Sequence, residues 1–140
     1  MVKNQKKIYI AGPLCEEKTR QFLEEIDKIC KELGFETFLP HRDAGLYDGD
    51  ESKIKEISNI DVQEIKDCDL MVGILDGIYV GAGTAWEMGY AQAIGKKVIG
   101  LKTDKKIKDS IPDISVIIAG CVNLVESLEE LKENLKNEME

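Results

Sequence analysis

The sequence predicts an α/β domain in which helices cover both faces of a parallel sheet. Apolar residues alternate between strand-like runs and helical spacing along the whole chain. The connections between these segments are short, which is typical of doubly wound sheets. The length of 140 residues suits one domain with one core, so we expect a single domain over residues 1–140.

Five short apolar runs predict the strands. Continuous apolar runs suit a sheet that is buried on both faces, and Gly12-Pro13 and Pro40 end the first two. The predicted strands cover residues 8–11, 35–39, 69–75, 97–101 and 122–125. With the intervening helices they predict a flavodoxin- or Rossmann-like three-layer sandwich with a five-stranded, mainly parallel sheet.

Four segments with apolar residues at helical spacing predict the helices. They cover residues 22–33, 51–66, 84–94 and 127–137. Gly34 is expected to end the first helix as its C-cap. The remaining segments are predicted to be loops at 41–50 and 76–83, a polar linker at 104–112 and a short apolar segment at 114–119.

Composition and charge argue against several classes of protein. Acidic residues outnumber basic ones by 27 to 19, which gives a net charge of −8 and disfavours binding to a nucleic-acid polymer. The apolar content of 43% is too high for a disordered chain. No run approaches the roughly 20 apolar residues of a membrane span, and no signal-peptide core follows the basic N-terminus. We therefore expect a cytoplasmic protein without a membrane partner.

The cysteines indicate free thiols and no metal site. Cys15, Cys30, Cys68 and Cys121 are widely separated and form no C-x-x-C pair, and His41 is the single histidine. Structural zinc sites need clustered Cys or His ligands, and free thiols are usual in a reducing cytosol. We expect no metal and no cofactor.

The densest group of candidate functional residues lies at 76–91. Gly81 and Gly83 allow a ligand to approach the backbone, and a helix is predicted to begin at Thr84. The free N–H groups and positive dipole end of such a helix favour a sugar oxygen, a phosphate or a carboxylate. The segment is neither a dinucleotide fingerprint nor a P-loop, because it lacks the third glycine and the Gly-Lys-Ser/Thr sequence.

Glu87 in this segment has two interpretations. Thr84 and Glu87 have the spacing of a capping box, in which the glutamate bonds the first free amide of the helix. Alternatively, Glu87 is a carboxylate in a ligand cleft that the helix dipole keeps ionised, as a nucleophile for a sugar carbon requires. Spacing alone favours the capping box.

Two aspartates are further candidates. Asp69 begins the third strand, where it either accepts backbone amides or acts as a second catalytic carboxylate. Asp61 continues the stripe of Ile57 and Ile65 that faces the sheet. We slightly favour a local capping role for Asp61, at an interruption of the helix at residues 58–59.

Tyr9, His41 and Asp43 are weaker candidates. Tyr9 lies inside the first strand, where a buried hydroxyl would need a hydrogen-bond partner. His41 and Asp43 lie in a loop at the same end of the sheet as Gly12-Pro13. Ligands of doubly wound sheets bind at this end, beyond the carboxyl ends of the strands.

Three segments together resemble the nucleoside 2-deoxyribosyltransferase family, which includes related nucleotide N-hydrolases. They are IYIAGPL at 8–14, the stretch from Asp61 to DLMVG at 69–73, and GTAWEMGYA at 83–91. The resemblance implies an enzyme that cleaves the N-glycosidic bond of a 2′-deoxynucleoside. The deoxyribosyl group then passes to another nucleobase through a covalent glutamyl intermediate.

The resemblance also implies roles for individual residues. Glu87 matches the nucleophile, Asp69 the general acid and base, and Tyr9 the tyrosine that orients the nucleophile. His41 and Asp43 match the loop that faces the base.

Glycines and Pro13 complete the expected substrate site. Gly12, Pro13, Gly81 and Gly83 are expected to line it. Gly81 departs from the family pattern, because transferases have an aspartate there that binds the 5′-hydroxyl and hydrolases have a serine.

Ser115 matches a residue that a neighbouring subunit donates to the 5′ end, so we expect a homodimer or a higher homo-oligomer. Serine there and a bare Gly81 favour a 5′-phosphate, whereas Ala11-Gly12-Pro13 is closer to the transferases. Three hypotheses follow: a transferase, a nucleoside 5′-monophosphate hydrolase and a non-catalytic nucleotide-binding module.

Overall fold

A computed structural model describes residues 5–139 and confirms the predicted α/β architecture. Within this range the strands are β1 (Lys7–Ala11), β2 (Glu36–Phe38), β3 (Leu70–Ile74), β4 (Lys97–Leu101) and β5 (Asn123–Val125). They form one sheet in the order β2-β1-β3-β4-β5, and every neighbouring pair is parallel. This is the flavodoxin-like strand order.

Helices connect and follow the strands. They are α1 (Glu17–Glu32), α2 (Pro40–Asp43), α3 (Ile54–Asp67), α4 (Ala82–Ala93), α5 (Ile111–Ile114), α6 (Val116–Cys121) and α7 (Leu128–Glu138). Single 3₁₀ turns occur at Glu51–Lys53 and Ile107–Asp109. Gly34 follows α1 with a φ of 100°, as expected for a glycine at the end of a helix.

The segments predicted as loops and linker contain short helices that the sequence pattern does not predict. Residues 41–43 belong to α2, and the linker at 104–112 includes a 3₁₀ turn and the start of α5. The segment 114–119 contains the end of α5 and the start of α6, with a break at Ser115. Pro40 and Pro112 stand in the first turns of α2 and α5, where proline fixes a helical φ without the loss of a backbone hydrogen bond. These helices are too short to show an apolar period.

Two apolar layers pack on opposite faces of the sheet. One contains Leu23 of α1 and Leu131 of α7, and the other contains Ile65 of α3 and Met88 of α4. Tyr9 of β1 points into the second layer. Strand β1 is followed by α1, which lies on one face of the sheet. Its neighbour β3 is preceded by α3, which lies on the other face. A crevice opens at their carboxyl ends.

Helix α4 packs directly against β3. Gly73 of β3 faces Met88, and a Cβ atom at position 73 would lie 2.4 Å from the Met88 sulfur. The glycine therefore sets how closely α4 approaches the sheet.

Residues 1–4 and 140 lie outside the described range. The predictions about the basic N-terminus and about a single domain over residues 1–140 therefore fall partly outside it. No helix among residues 5–139 is both long enough and apolar enough to cross a membrane. In the same range no three His, Cys, Asp or Glu residues are grouped as metal ligands. Cys15 and Cys121 are exposed free thiols, and Cys30 and Cys68 are buried ones.

Candidate active site

A cavity of about 850 Å³ lies at the carboxyl ends of β1 and β3, between α3 and α4. The loop after β1 contributes residues 12–15, which include Gly12 and Pro13. Helix α3 contributes Lys55, Ser58, Asn59, Asp61, Val62 and Ile65. The start of α4 contributes residues 81–84 and then Trp86 and Glu87. The cavity is thus at the end of the sheet that the sequence predicts.

Glu87 lines this cavity and contacts the buried Tyr9. The Tyr9 hydroxyl donates a hydrogen bond to Oε2 of Glu87, across 78 positions of the chain. The Tyr9 ring is fully buried and stacks on Phe38, with 5.2 Å between the ring centroids. Tyr9 therefore presents its hydroxyl from a fixed position on the sheet.

The contact with Tyr9 replaces the expected capping box. Helix α4 begins at Ala82 after Gly81 as the N-cap, so Thr84 lies inside the first turn and Glu87 lies in the second. No side chain caps this helix, and the capping-box interpretation is wrong. The amide N–H groups of residues 82–84, at the wall of the cavity, have no partner within the helix.

Asp61 is the second carboxylate of the cavity. It lies in the middle of α3, which runs without interruption through Ser58 and Asn59, so the local capping role is wrong. Its Oδ1 atom is buried and, among the described residues, has no hydrogen-bond partner. Burial raises the pKa of Asp61 to about 6. The stripe of Ile57, Asp61 and Ile65 was the sequence signal for this position.

Burial also dominates the electrostatics of Glu87. Desolvation raises the pKa of Glu87 to about 7, the Tyr9 hydrogen bond opposes the rise, and the charge of Asp61 adds to it. The expectation that the helix dipole keeps Glu87 ionised is therefore wrong, since Glu87 lies beyond the first turn. Burial and the charges of Glu87 and Asp61 raise the pKa of Tyr9 as well, so its hydroxyl remains a donor.

Asp69 lies at the opposite end of the sheet. It is exposed, it precedes β3, and its Oδ2 accepts a hydrogen bond of 2.7 Å from the Lys7 amide. Its own amide donates to the Lys7 carbonyl at 2.8 Å. Asp69 therefore accepts a backbone amide, and the structure corrects its assignment as the general acid.

His41 and Asp43 also lie outside the cavity. Nε2 of His41 is 3.2 Å from a carboxylate oxygen of Glu24. Asp43 accepts a 2.9 Å hydrogen bond from the Leu39 amide and pairs with Arg42 at 2.7 Å. The Arg42 guanidinium holds the pKa of Asp43 below its usual value. Both residues anchor α2, so the prediction that they face the base is corrected.

Ser115 lies on the other side of α4. It lines a second cavity of about 590 Å³ together with Met88 and Gly89, on the face of α4 opposite Glu87. Its φ is 95°, an unusual value for a residue other than glycine. Within one chain the structure does not bring Ser115 and Glu87 together.

Comparisons with known proteins agree with this fold. The family model for nucleoside 2-deoxyribosyltransferases matches residues 8–136. A comparison with curated proteins found no match.

Three solved structures are similar to the chain. A 2-deoxyribosyltransferase from Bacillus psychrosaccharolyticus is 24% identical, with 92% of this chain and 95% of that chain covered and a TM-score of 0.78. A conserved protein from Enterococcus faecalis V583 is 27% identical, with 96% and 99% covered and a TM-score of 0.77. A CMP N-glycosidase from Clostridium botulinum is 24% identical, with 96% and 100% covered and a TM-score of 0.60. At such identities the first and third likenesses show a shared fold.

The raised pKa of Glu87 predicts a pH-dependent stability difference between the wild type and Glu87→Gln. The folded protein retains the Glu87 proton between about pH 4.5 and 7, so the stability that this proton contributes is lost as the pH rises through 7. We expect the free energy of unfolding of Glu87→Gln, relative to that of the wild type, to be about 1–3 kcal/mol higher at pH 8 than at pH 5. Urea unfolding at both pH values measures this difference, with Glu25→Gln on the exposed face of α1 as the control. An equal difference at both pH values contradicts the prediction.

Proposed function

The chain belongs to the nucleoside 2-deoxyribosyltransferase family, and we propose that it cleaves the N-glycosidic bond of a 2′-deoxynucleoside and transfers the deoxyribosyl group to another nucleobase. The observation that carries the proposal is the pair of carboxylates, Glu87 and Asp61, in one cavity with Tyr9 bound to Glu87. The free thiols and the family suit a reaction of nucleoside salvage in the reducing cytoplasm.

Glu87 is the nucleophile of the proposed reaction. Tyr9 binds Oε2 of Glu87, and we assign the attack on the anomeric carbon of the sugar to Oε1. The bond from that carbon to the base breaks as the bond to Glu87 forms. A second base then displaces Glu87 from the opposite side, so the configuration at the anomeric carbon is retained overall. A carboxylate with a pKa of about 7 is partly ionised at neutral pH, and its basicity favours attack.

Asp61 supplies the proton chemistry. With a pKa of about 6, it can donate a proton to the departing base and accept one from the incoming base. The two carboxylates repel each other, since the charge of Asp61 contributes to the raised pKa of Glu87. The two groups titrate as a pair, and the reaction proceeds from the state in which Asp61 holds the proton and Glu87 is ionised.

The other walls of the cavity suit a nucleoside. Pro13, Leu14 and Val62 provide apolar surface for a flat base, while Ser58 and Asn59 offer hydrogen-bonding groups at its edge. This combination of apolar and hydrogen-bonding residues suits a ligand that has an aromatic ring with polar groups at its edge.

A 5′-monophosphate hydrolase is the second candidate function. Gly81 has no side chain, and the uncapped amides at the start of α4 are able to bind an anion. Lys55 lines the same cavity and adds a positive charge. In this candidate, water replaces the second base as the acceptor and the products are a free base and deoxyribose 5-phosphate.

We also propose that the chain acts as a homo-oligomer in which Ser115 serves the neighbouring site. Ser115 faces away from its own Glu87 and has a strained backbone, which is frequent at functional positions. The adjacent Val116 and Ile117 are 76% and 72% exposed. Exposed apolar residues around a strained polar one suit a contact between subunits.

Product analysis tests the proposed function. We expect a 2′-deoxynucleoside incubated with a second free base to yield a new nucleoside, and Glu87→Gln to reduce the rate at least about 1,000-fold. Chromatography identifies the products, and mass spectrometry detects deoxyribose on the peptide that contains Glu87. Glu25→Gln is the control. Free base and sugar phosphate from a nucleoside monophosphate favour the hydrolase, and binding without turnover on either substrate class contradicts both enzymes.

Asn substitutions distinguish the two aspartates. We expect Asp61→Asn to reduce turnover about 100-fold, because it removes the proton donor from the cavity. Asp69→Asn is the matched control and should leave turnover within about twofold, since Asp69 bonds a backbone amide at the far end of the sheet. Steady-state rates with one substrate give the comparison. A larger loss of turnover in Asp69→Asn than in Asp61→Asn contradicts the role of Asp61.

A charge in the exposed apolar surface tests the oligomer. We expect Ile117→Asp to dissociate the oligomer and to lower activity at least about tenfold, because Ser115 then no longer reaches a neighbour. Leu46→Asp is the control, since Leu46 is also an exposed apolar residue but lines neither cavity. Sedimentation and activity are measured on the same samples. A fully active monomer contradicts the proposal.

A further inference from the structure

Lys102 is a buried lysine beside the carboxyl end of β4. It follows the last residue of the strand, and only 1% of its surface is exposed. A lysine is rarely buried so completely unless its ammonium group is paired. The proposed reaction assigns it no role, so its burial needs another reason.

The ammonium group of Lys102 binds the loop between β3 and α4, residues 75–81. Nζ donates hydrogen bonds of 3.2 Å to the carbonyl oxygens of Leu75 and Gly77. It also lies 2.9 Å from Oδ1 of Asp104. Oδ2 of the same Asp104 accepts a 2.8 Å hydrogen bond from the Gly77 amide. Lys102 and Asp104 therefore hold both the carbonyl and the amide of Gly77.

A second pair of contacts fixes the same loop. Asp76 accepts hydrogen bonds from the Thr103 amide at 2.7 Å and from the Thr103 hydroxyl at 2.5 Å. Residues 102–104, which follow β4, thus bind residues 75–77, which follow β3. We refer to these contacts as the loop clamp.

The clamped loop leads directly to the nucleophile. It ends at Gly81, the N-cap of α4, and Glu87 follows in the second turn of that helix. Glu87 must meet a tyrosine that is fixed on β1. The entry of the chain into α4 therefore decides whether the carboxylate reaches Tyr9.

We infer that Lys102 is a positioning residue for the nucleophile: its buried ammonium group holds the β3–α4 loop so that α4 presents Glu87 to Tyr9 and to the anomeric carbon. The inference rests on the proposed function of Glu87, although the clamp itself does not. An apolar side chain would fill the space beside the strand at a lower desolvation cost. Such a side chain would leave the carbonyl groups of Leu75 and Gly77 without their hydrogen-bond donor, and the loop would no longer be held in a fixed position relative to the sheet.

The test compares Lys102→Met with Lys97→Met. Met keeps the length of the side chain and removes the donor. Lys97 lies at the other end of β4 and pairs with Glu138, far from the loop, so its variant controls for the loss of a lysine on this strand. Trp86 is the only tryptophan in the sequence and neighbours Glu87, so its fluorescence quenching by acrylamide reports on α4 independently of activity.

We expect Lys102→Met to lower kcat about tenfold per folded molecule with little change in KM, because the substrate-binding walls remain while the nucleophile is displaced. Trp86 quenching should change, and the inflection of Glu87 in the kcat–pH profile should move to lower pH, because a displaced carboxyl group is less buried. Lys97→Met should change none of these.

Other outcomes decide against the inference. A Lys102→Met enzyme with kcat within twofold of the wild type and unchanged Trp86 quenching overturns it. So does a loss of activity that only follows the unfolded fraction measured by circular dichroism. If Lys102→Met does not fold, Asp104→Ala opens the same clamp at a partly exposed residue, and the same readouts apply. If the wild type shows no glycosyl transfer or hydrolysis, Trp86 quenching alone decides about the clamp, while the proposed function fails separately.

Discussion

The hydrogen bond between Tyr9 and Glu87 is the contact on which the rest of the site depends. A partly buried carboxylate needs a partner, and the sheet supplies one through a fully buried tyrosine. The bond is possible only because α4 lies close to the sheet, which the bare Gly73 beneath Met88 allows. The loop clamp holds residues 75–77, a few positions before α4 begins. In the proposal above, strand, glycine and clamp together position Glu87.

The two buried carboxyl groups of the cavity cost stability. Burial raises the pKa values of Glu87 and Asp61 to about 7 and about 6, so neither group is fully ionised when folded at neutral pH. Asp61 leaves one buried oxygen without a hydrogen bond among the described residues. Protein interiors seldom leave polar atoms unpaired, and exceptions concentrate at functional sites. The cavity has the properties of a site that is completed by a ligand.

Helix α4 serves two surfaces. Its residues Thr84 and Glu87 face the cavity with the carboxylates, while Met88 and Gly89 face the second cavity beside Ser115. A subunit that packs at the second surface would rest against the helix that carries the nucleophile. The proposed oligomer and the proposed chemistry therefore share one structural element.

The sequence by itself determined the parallel sheet and its main helices, and it predicted Tyr9, Glu87 and the glycines as site residues, because apolar period and local motifs are properties of neighbouring positions. The contact between Tyr9 and Glu87 came only from the tertiary structure, since it joins residues 78 positions apart. Tertiary structure also decided between the two aspartates: Asp69 enters a strand at the far end of the sheet, whereas Asp61 lies on the helix face that closes the cavity. The position of Asp69 at the start of the third strand already indicated that it lies away from the carboxyl ends, but the depth to which a side chain is buried follows only from tertiary packing. Burial, which sets both pKa values, arises only when α3 and α4 pack on the same face of the sheet.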